Sequence, residues 1–372
     1  MNKINLTMLQ IGTDASLASK DSDSFNRMKS YAAMLEKLTI IVMTDKETHT
    51  QEGSMEVYST GGQIKLTQAI RAVILARKLS KSQMYNTVSS QDPLFIGVVA
   101  YIISKLLKTK LLVSVFGMNV FSKGWLKEKW FNRFIKPISI FILSQATALQ
   151  TDTMDSFSLL QKKYKSKTFY KLVIPTNLKD FDVNRDYHGE GRKVLYVGRL
   201  SHEKNIPFLV EVIKSTAQKI PSIHFTVIGN GPLRSYFLAQ INKNELTKFV
   251  TYIPELSRKE IVSYFQNNDI FILTSFYEGL AKVFMEAGMS GMPIVTTDVG
   301  GARDIIEHGK TGYIVSHGDT LEMTERIYEL CNDPILRMWI GQKLQNVARQ
   351  KFSFDAMIED QRNVYEYLSH AS

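Results

Sequence analysis

The chain holds a single cysteine, Cys331, among 372 residues. That excludes an intrachain disulfide and makes a reducing cytoplasm the natural setting. Long hydrophobic runs are missing too. The longest, residues 94–103 and the stretch 138–149 broken by Ser139, Ser144, Gln145 and Thr147, fall well short of the roughly 20 residues needed to span a bilayer. The N-terminal MNKINLTMLQIGTD has too short an apolar stretch for a signal-peptide core and no small-residue cleavage site, so no removed leader is expected. Short-period repeats and low-complexity tracts are also lacking. What is present is a 44% hydrophobic fraction, which excludes a disordered chain, and a length that outgrows one ordinary core and fits two domains.

The formal net charge of +10 lies wholly in the first half: residues 1–190 carry 26 Lys+Arg against 16 Asp+Glu, and residues 191–372 carry 20 of each. A basic surface confined to one half implies an anionic partner bound there. The segment Lys123 to Lys136, KGWLKEKWFNRFIK, points to which one. On a helical wheel Leu126, Trp130, Phe131, Phe134 and Ile135 share one half, while Lys129, Asn132, Arg133 and Lys136 share the other. Such a helix suits an anionic membrane surface, with rings at the interface and cations near lipid phosphate. The alternative is a core helix with its aromatic face inward and a solvated basic back. Lysines 162, 163, 165, 167 and 171 form a further run with Tyr164, Phe169 and Tyr170 interleaved. No recognised motif accompanies them, so a solvated face is expected and no nucleic-acid partner.

Apolar, β-branched runs alternate with helical patterns throughout. Strands are predicted at 4–10, 38–43, 83–88 and 111–115, with helices at 25–37, 66–79, 93–107 and 123–143 between them. A second series of strands is predicted at 194–197, 225–228, 251–253, 270–273, 294–296 and 313–315. The implied fold class is α/β, two doubly wound Rossmann-like domains of parallel strands facing across a cleft. The first domain covers residues 1–178 and the second 193–352. The polar stretch 179–192 joins them, and a C-terminal helix in 353–372 packs back on the first. Ligands of such sheets bind beyond the carboxyl ends of the strands.

Several loops at those ends combine glycine with charge. After strand 194–197 comes GRLSHEKN, whose Arg199 and Lys204 can donate to phosphate oxygens, although such residues are also commonly just solvated. After strand 225–228 comes GNGP, where Gly229 and Gly231 allow a tight turn and close approach of a ligand. After strand 270–273 comes SFYEGLAKVFMEAG. Here Glu278 closes the loop, a helix starting near Leu280 leaves the amides of Gly279, Leu280 and Ala281 for a diphosphate, and Glu286 sits among apolar neighbours where donors must satisfy it. Eight helical residues span roughly 12 Å, comparable with the reach from ribose to hexose in a nucleotide sugar. Two glutamates that merely cap and pair within the domain are the plainer account. A fourth loop, TDVGGARD, follows strand 294–296, and Gly309 to Gly312 turns into the last strand.

The order GRLSHEKN, GNGP, SFYEGLAKVFMEAG, GMPIVTTDVGG, GKTGYIV resembles the retaining glycosyltransferases of family 4, which have the GT-B fold. The resemblance is dense over residues 193–318 and weak over 1–190. It implies transfer of a hexose or N-acetylhexosamine from a nucleoside diphosphate, UDP being the commoner donor, with retention at the anomeric carbon and neither cofactor nor obligatory metal. In such enzymes the residues matching Arg199 and Lys204 hold the diphosphate, the one matching Glu286 the ribose, and the one matching Glu278 the transferred sugar. The first domain would take a lipid-linked or glycan acceptor in surface polysaccharide assembly, with the enzyme peripheral to the inner face of the cell membrane. The chain departs from the family in keeping only Gly12 where many members pair glycines after the first strand. It also carries Ser114 to Asn119 where many place a histidine. A catalytically silent scaffold subunit and a nucleotide-sugar epimerase of the same fold are the competing readings.

Overall fold

The computed structural model describes residues 3–116, 130, 132–173, 178–278 and 281–370. It divides into two compact units, Met1–Thr176 with Phe354–Ser372, and Asn177–Ser353.

The first unit is built on eight strands: β1 (Ile4–Gly12), β2 (Leu35–Val42), β3 (Glu47–Glu52), β4 (Met55–Thr60), β5 (Thr87–Ser90), β6 (Lys110–Val115), β7 (Ala148–Thr151) and β8 (Thr168–Lys171). Their order is β3-β4-β2-β1-β5-β6-β7-β8, and all pairs are parallel except β3 with β4. The β3–β4 hairpin has no counterpart in the predicted strands: ETHTQE is almost wholly polar and solvent-facing, so hydrophobic alternation cannot reveal it. Strand β8 lies in the lysine run expected to be a solvated face. It closes the other edge of the sheet, where lysines discourage further pairing.

Helices α1 (Asp23–Met34), α2 (Lys65–Leu79), α3 (Phe95–Leu107), α4 (Asn132–Gln145) and α5 (Met154–Lys163) connect these strands. Ser22 caps α1 by accepting from Phe25 N, and Thr153 caps α5 from Ser156 N. Along β1 successive side chains alternate between two cores. Leu6 and Met8 pack with α1, and Leu9 and Ile11 with α2, α3 and α4. The C-terminal helix, Phe354–His370, belongs to the first unit. Its Val364 and Leu368 join the α1 core, and Thr168 Oγ1 hydrogen-bonds Tyr367 Oη at 2.8 Å.

The second unit holds β9 (Lys193–Val197), β10 (His224–Ile228), β11 (Val250–Ile253), β12 (Ile270–Leu273), β13 (Ile294–Thr297) and β14 (Tyr313–Val315) in one parallel sheet of order β11-β10-β9-β12-β13-β14. Its helices are α6 (Ile206–Lys219), α7 (Arg234–Lys243), α8 (Arg258–Asn267), α9 (Lys282–Met289), α10 (Ala302–Ile305), α11 (Thr320–Asn332) and α12 (Pro334–Phe352), so the C-terminal helix of the first unit is α13. Both units are Rossmann-like α/β folds, the class the alternating periodicity implies. The polar stretch 179–192 is fastened along this unit. The buried guanidinium of Arg337 donates to Tyr187 O at 2.9 Å and Gly189 O at 2.6 Å, Arg185 Nε to Ser290 O at 2.7 Å, and Tyr187 Oη to Gly291 O at 2.7 Å.

Candidate functional site

Counted from β9, the second sheet runs third-second-first-fourth-fifth-sixth, and the order reverses between β9 and β12. A reversal of this kind is the usual ligand position in such sheets. The loop after β9 brings Arg199 and Lys204, and the loop after β12 brings Ser275 and Glu278. Lys204 Nζ pairs with Glu278 Oε1, and Ser275 Oγ donates to the same oxygen at 2.6 Å. Thr274 Oγ1 donates to Lys204 O at 2.9 Å, and Phe276 N to Glu203 O at 2.8 Å, so the two loops are stitched through main chain as well.

Arg199 is exposed and lies near Glu203. Burial raises the Glu203 carboxyl, but the Ser201 hydroxyl and the charges of Lys204 and Arg199 outweigh it and hold the group below its ordinary value. Beneath this cluster stands Tyr196. Burial lifts its phenol far above the usual range, Glu278 and Glu203 lift it further, and its hydroxyl has no hydrogen-bond partner.

Gly229 and Gly231 are required by main-chain packing. A Cβ on Gly229 would lie 2.1 Å from Gly198 O, and one on Gly231 2.3 Å from Leu200 O. Leu200 N donates to Asn230 O at 3.0 Å and Leu233 N to Leu200 O at 2.8 Å. These glycines thus hold the loop after β10 against the one bearing Arg199. Gly300 acts likewise, since its Cβ would meet Glu278 O at 2.6 Å.

Helix α9 starts at Lys282, with Ala281 as its N-cap and no side-chain hydrogen bond closing the first turn. Glu278 is therefore off the helix, which removes the basis for measuring its separation from Glu286 in helical rises. Gly279 and Leu280 lie outside the described residues. Glu286 is 7% exposed on α9, with Arg258 Nη1 at 3.7 Å from its Oε1. Burial raises its carboxyl, and Arg258 and Lys282 only partly offset this. Sequence reasoning missed Arg258. It opens α8 behind a Ser257–Glu260 capping box, a pattern readable in the sequence, but nothing local says that its guanidinium meets Glu286. Lys204 and Glu278 are thus in contact with each other, and Glu286 is in contact with Arg258. Among the described residues no group of three or more His, Cys, Asp or Glu converges on a point.

The first sheet reverses its order between β1 and β5, and a cavity of about 380 Å³ opens there. Gly12 ends β1 at this place, where a Cβ would meet Gln91 Oε1 at 2.7 Å. The walls mix hydroxyls and carboxamides with charged and apolar side chains: Gln10, Ser89, Ser114, Gln150 and Gln361 line it, with Asp14, Arg27 and Asp92 and with Met8, Met28 and Phe116. Gln150 Nε2 donates to Ser114 Oγ at 2.7 Å, whereas Gln150 Oε1 is buried without a partner. Burial raises the Asp92 carboxyl, partly offset by amides of the α3 N-terminus.

Residues 123–129 and 131 of the basic aromatic segment lie outside the described residues. In the remainder Trp130 and Phe134 are exposed, and α4 turns Ser139, Ile142 and Leu143 inward instead, so these two rings are not core.

Residues 180–347 match the family model described as Glycosyl transferases group 1. The 2-deoxystreptamine N-acetyl-D-glucosaminyltransferase of Niallia circulans is 28% identical over 258 residues, 65% of either chain. The capsular polysaccharide biosynthesis glycosyltransferase CapM of Staphylococcus aureus is 30% identical over 177 residues, 46% of this chain and 44% of that one. The match thus spans less than two thirds of the length of these relatives. Among solved structures, Anabaena Alr3699/HepE in complex with UDP superposes with a TM-score of 0.74 at 15% identity, covering 96% of this chain and 99% of that one. That likeness is one of fold, the two-unit GT-B type.

Proposed function

We propose that the chain is a retaining, metal-independent glycosyltransferase. It moves a hexose or N-acetylhexosamine from a UDP-sugar to a lipid-linked or polysaccharide acceptor, working in the cytoplasm at the inner face of the cell membrane. The observation that carries this reading is the Lys204–Glu278 contact at the switch point of the second sheet, reinforced by Ser275. In this reading Lys204 and Arg199 neutralise the departing diphosphate, a task that otherwise falls to a metal ion. The amide of Ala281, the N-cap of α9, adds a donor to it. Glu278 accepts from hydroxyls of the transferred sugar, and Glu286 from those of the ribose, which supply the donors a buried carboxylate requires. Gly229 and Gly231 keep the wall of the site thin.

The names of the two relatives support sugar transfer and polysaccharide assembly, and UDP in the Anabaena structure supports the choice of nucleotide. The cavity beside Gly12 suits a neutral, hydroxyl-rich acceptor, because carboxamides pair with hydroxyls in both directions.

The test is transfer of radiolabelled sugar from a panel of UDP-sugars to a lipid extract of polysaccharide-producing cells. A labelled product is expected, and Lys204→Ala should lower turnover by about a hundredfold or more. No transfer from any donor, together with no UDP binding by calorimetry, would favour a silent scaffold. Conversion of the UDP-sugar without acceptor would favour an epimerase.

A further inference from the structure

The helix layer on one face of the first sheet is built inside out. Helices α2, α3 and α4 lie side by side, α2 against α3 and α3 against α4. Toward the sheet α2 presents Ala69, Ala72 and Ala76, with Val73, Leu75 and Leu79 half-buried against the same core. Its larger residues Leu66, Ile70 and Ile74, at i, i+4 and i+8, face outward. Next to them Ile102 and Leu106 of α3, and Phe134 and Ile138 of α4, also face out, and all seven are between 43 and 67% exposed. Single exposed leucines are ordinary. Three adjacent apolar stripes are not, and mark a surface that another phase or molecule covers.

Charge identifies the occupant. The same three helices contain seven Lys or Arg and no Asp or Glu. Helix α13, on the opposite face of the sheet, carries Asp355, Glu359, Asp360 and Glu366. A protein partner is ordinarily met by both signs of charge, whereas a bilayer of anionic lipid offers phosphate alone above an apolar interior. Lys136 also lies close enough to Lys163 of α5 to lower its ammonium value, after the larger effect of burial, so the cationic rim continues past α4. No helix among the described residues is long and apolar enough to cross a membrane, so the layer would rest in the headgroup plane.

We propose that the outer face of α2, α3 and α4 is the docking surface of this chain on an anionic phospholipid bilayer, with Leu66, Ile70, Ile74 and Phe134 entering the acyl boundary and Arg77, Lys78 and Arg133 paired with lipid phosphate. This deepens the membrane part of the functional reading, which rested on the segment Lys123 to Lys136 alone, and widens it to three helices.

Its test uses the full chain and vesicles, with no donor or acceptor present, so it can fail while sugar transfer to a water-soluble acceptor is still measured. Wild-type protein should bind vesicles of phosphatidylcholine containing about 30 mol% phosphatidylglycerol at least about tenfold more tightly than phosphatidylcholine alone, and lose most of that binding in high salt. The double variant Ile70→Ser with Phe134→Ser, both at exposed sites, should retain the wild-type melting temperature and bind the anionic vesicles about tenfold less well. Arg77→Glu with Lys78→Glu should do the same through charge. Equal binding to neutral vesicles, no binding to either, or wild-type binding by the serine variant overturns the proposal. So does a wild-type dimer that the serine variant dissociates and that stays off vesicles.

Discussion

Replacing Glu286 by glutamine should strengthen the fold and weaken the site at the same time. The carboxylate is buried on α9, and its only cationic contact at ion-pair range among the described residues, Arg258, stands 3.7 Å away and remains partly in water. Removing the charge relieves a desolvation cost that this partner meets incompletely, and Arg258 keeps its hydration, so no buried charge is orphaned. A gain of about 1 kcal/mol is expected, which raises Tm by about 2–4 °C for a unit of this size. The pH dependence has a definite sign. Burial raises the folded-state value of Glu286 above that of a free glutamate. The stability linked to this group is therefore complete below the free value and is lost as pH rises through the folded one. The advantage of Glu286→Gln should be largest at neutral pH and fade on acidification toward about pH 4. Donor binding should move the other way, because a charge-assisted hydrogen bond to a ribose hydroxyl exceeds the neutral one that the glutamine oxygen keeps by about 1–1.5 kcal/mol, or about fivefold to tenfold in Kd for UDP. Thermal melts from pH 4.5 to 7.5 and calorimetric titration with UDP read both effects. A variant that melts lower than wild type at pH 7, or that binds UDP equally well, would refute the reasoning.

Other perturbations probe the framework of the site. Gly231→Ala places a methyl group 2.3 Å from Leu200 O, with main chain on both sides, and should cost about 1–3 kcal/mol in a thermal melt while weakening UDP binding through the displaced Arg199 loop. Arg337→Leu strips the carbonyls of Leu330, Tyr187 and Gly189 of their buried donor; a loss of about 3 kcal/mol or more and faster proteolysis within residues 178–192 are expected. Burial pushes the Cys331 thiol up to about 11, so iodoacetamide at pH 8 should label the native protein about a hundredfold more slowly than the denatured chain, as mass spectrometry can follow. Glu278→Gln removes the charge that pairs with Lys204 while leaving an oxygen for Ser275, and should lower turnover with little change in UDP affinity, since Glu278 is assigned to the sugar and not to the nucleotide.

The strands of the second unit were legible because each is a short apolar run bounded by glycine or polar residues, as in FTVIGNG, and their placement needs only local periodicity. The β3–β4 hairpin was not, because an exposed edge strand carries no apolar alternation to detect. Residues 179–192 read as a linker because an extended strap and a free connector share the same polar composition. What separates them is the buried Arg337, about 150 residues further along the chain.

By itself, then, the sequence determined the two α/β units and the loops that carry glycine and charge, because both are matters of neighbouring residues. Tertiary structure alone decided which charges meet. Lys204 and Glu278 lie 74 residues apart, and they touch because β9 and β12 are adjacent at the reversal of strand order. The glycines of GNGP showed the same division: their sequence permits a tight turn, but their reason is the main chain of Gly198 and Leu200 packed against them. The outward stripes of α2, α3 and α4 became recognisable as surface only once the alanines of α2 were seen to occupy the side facing the sheet.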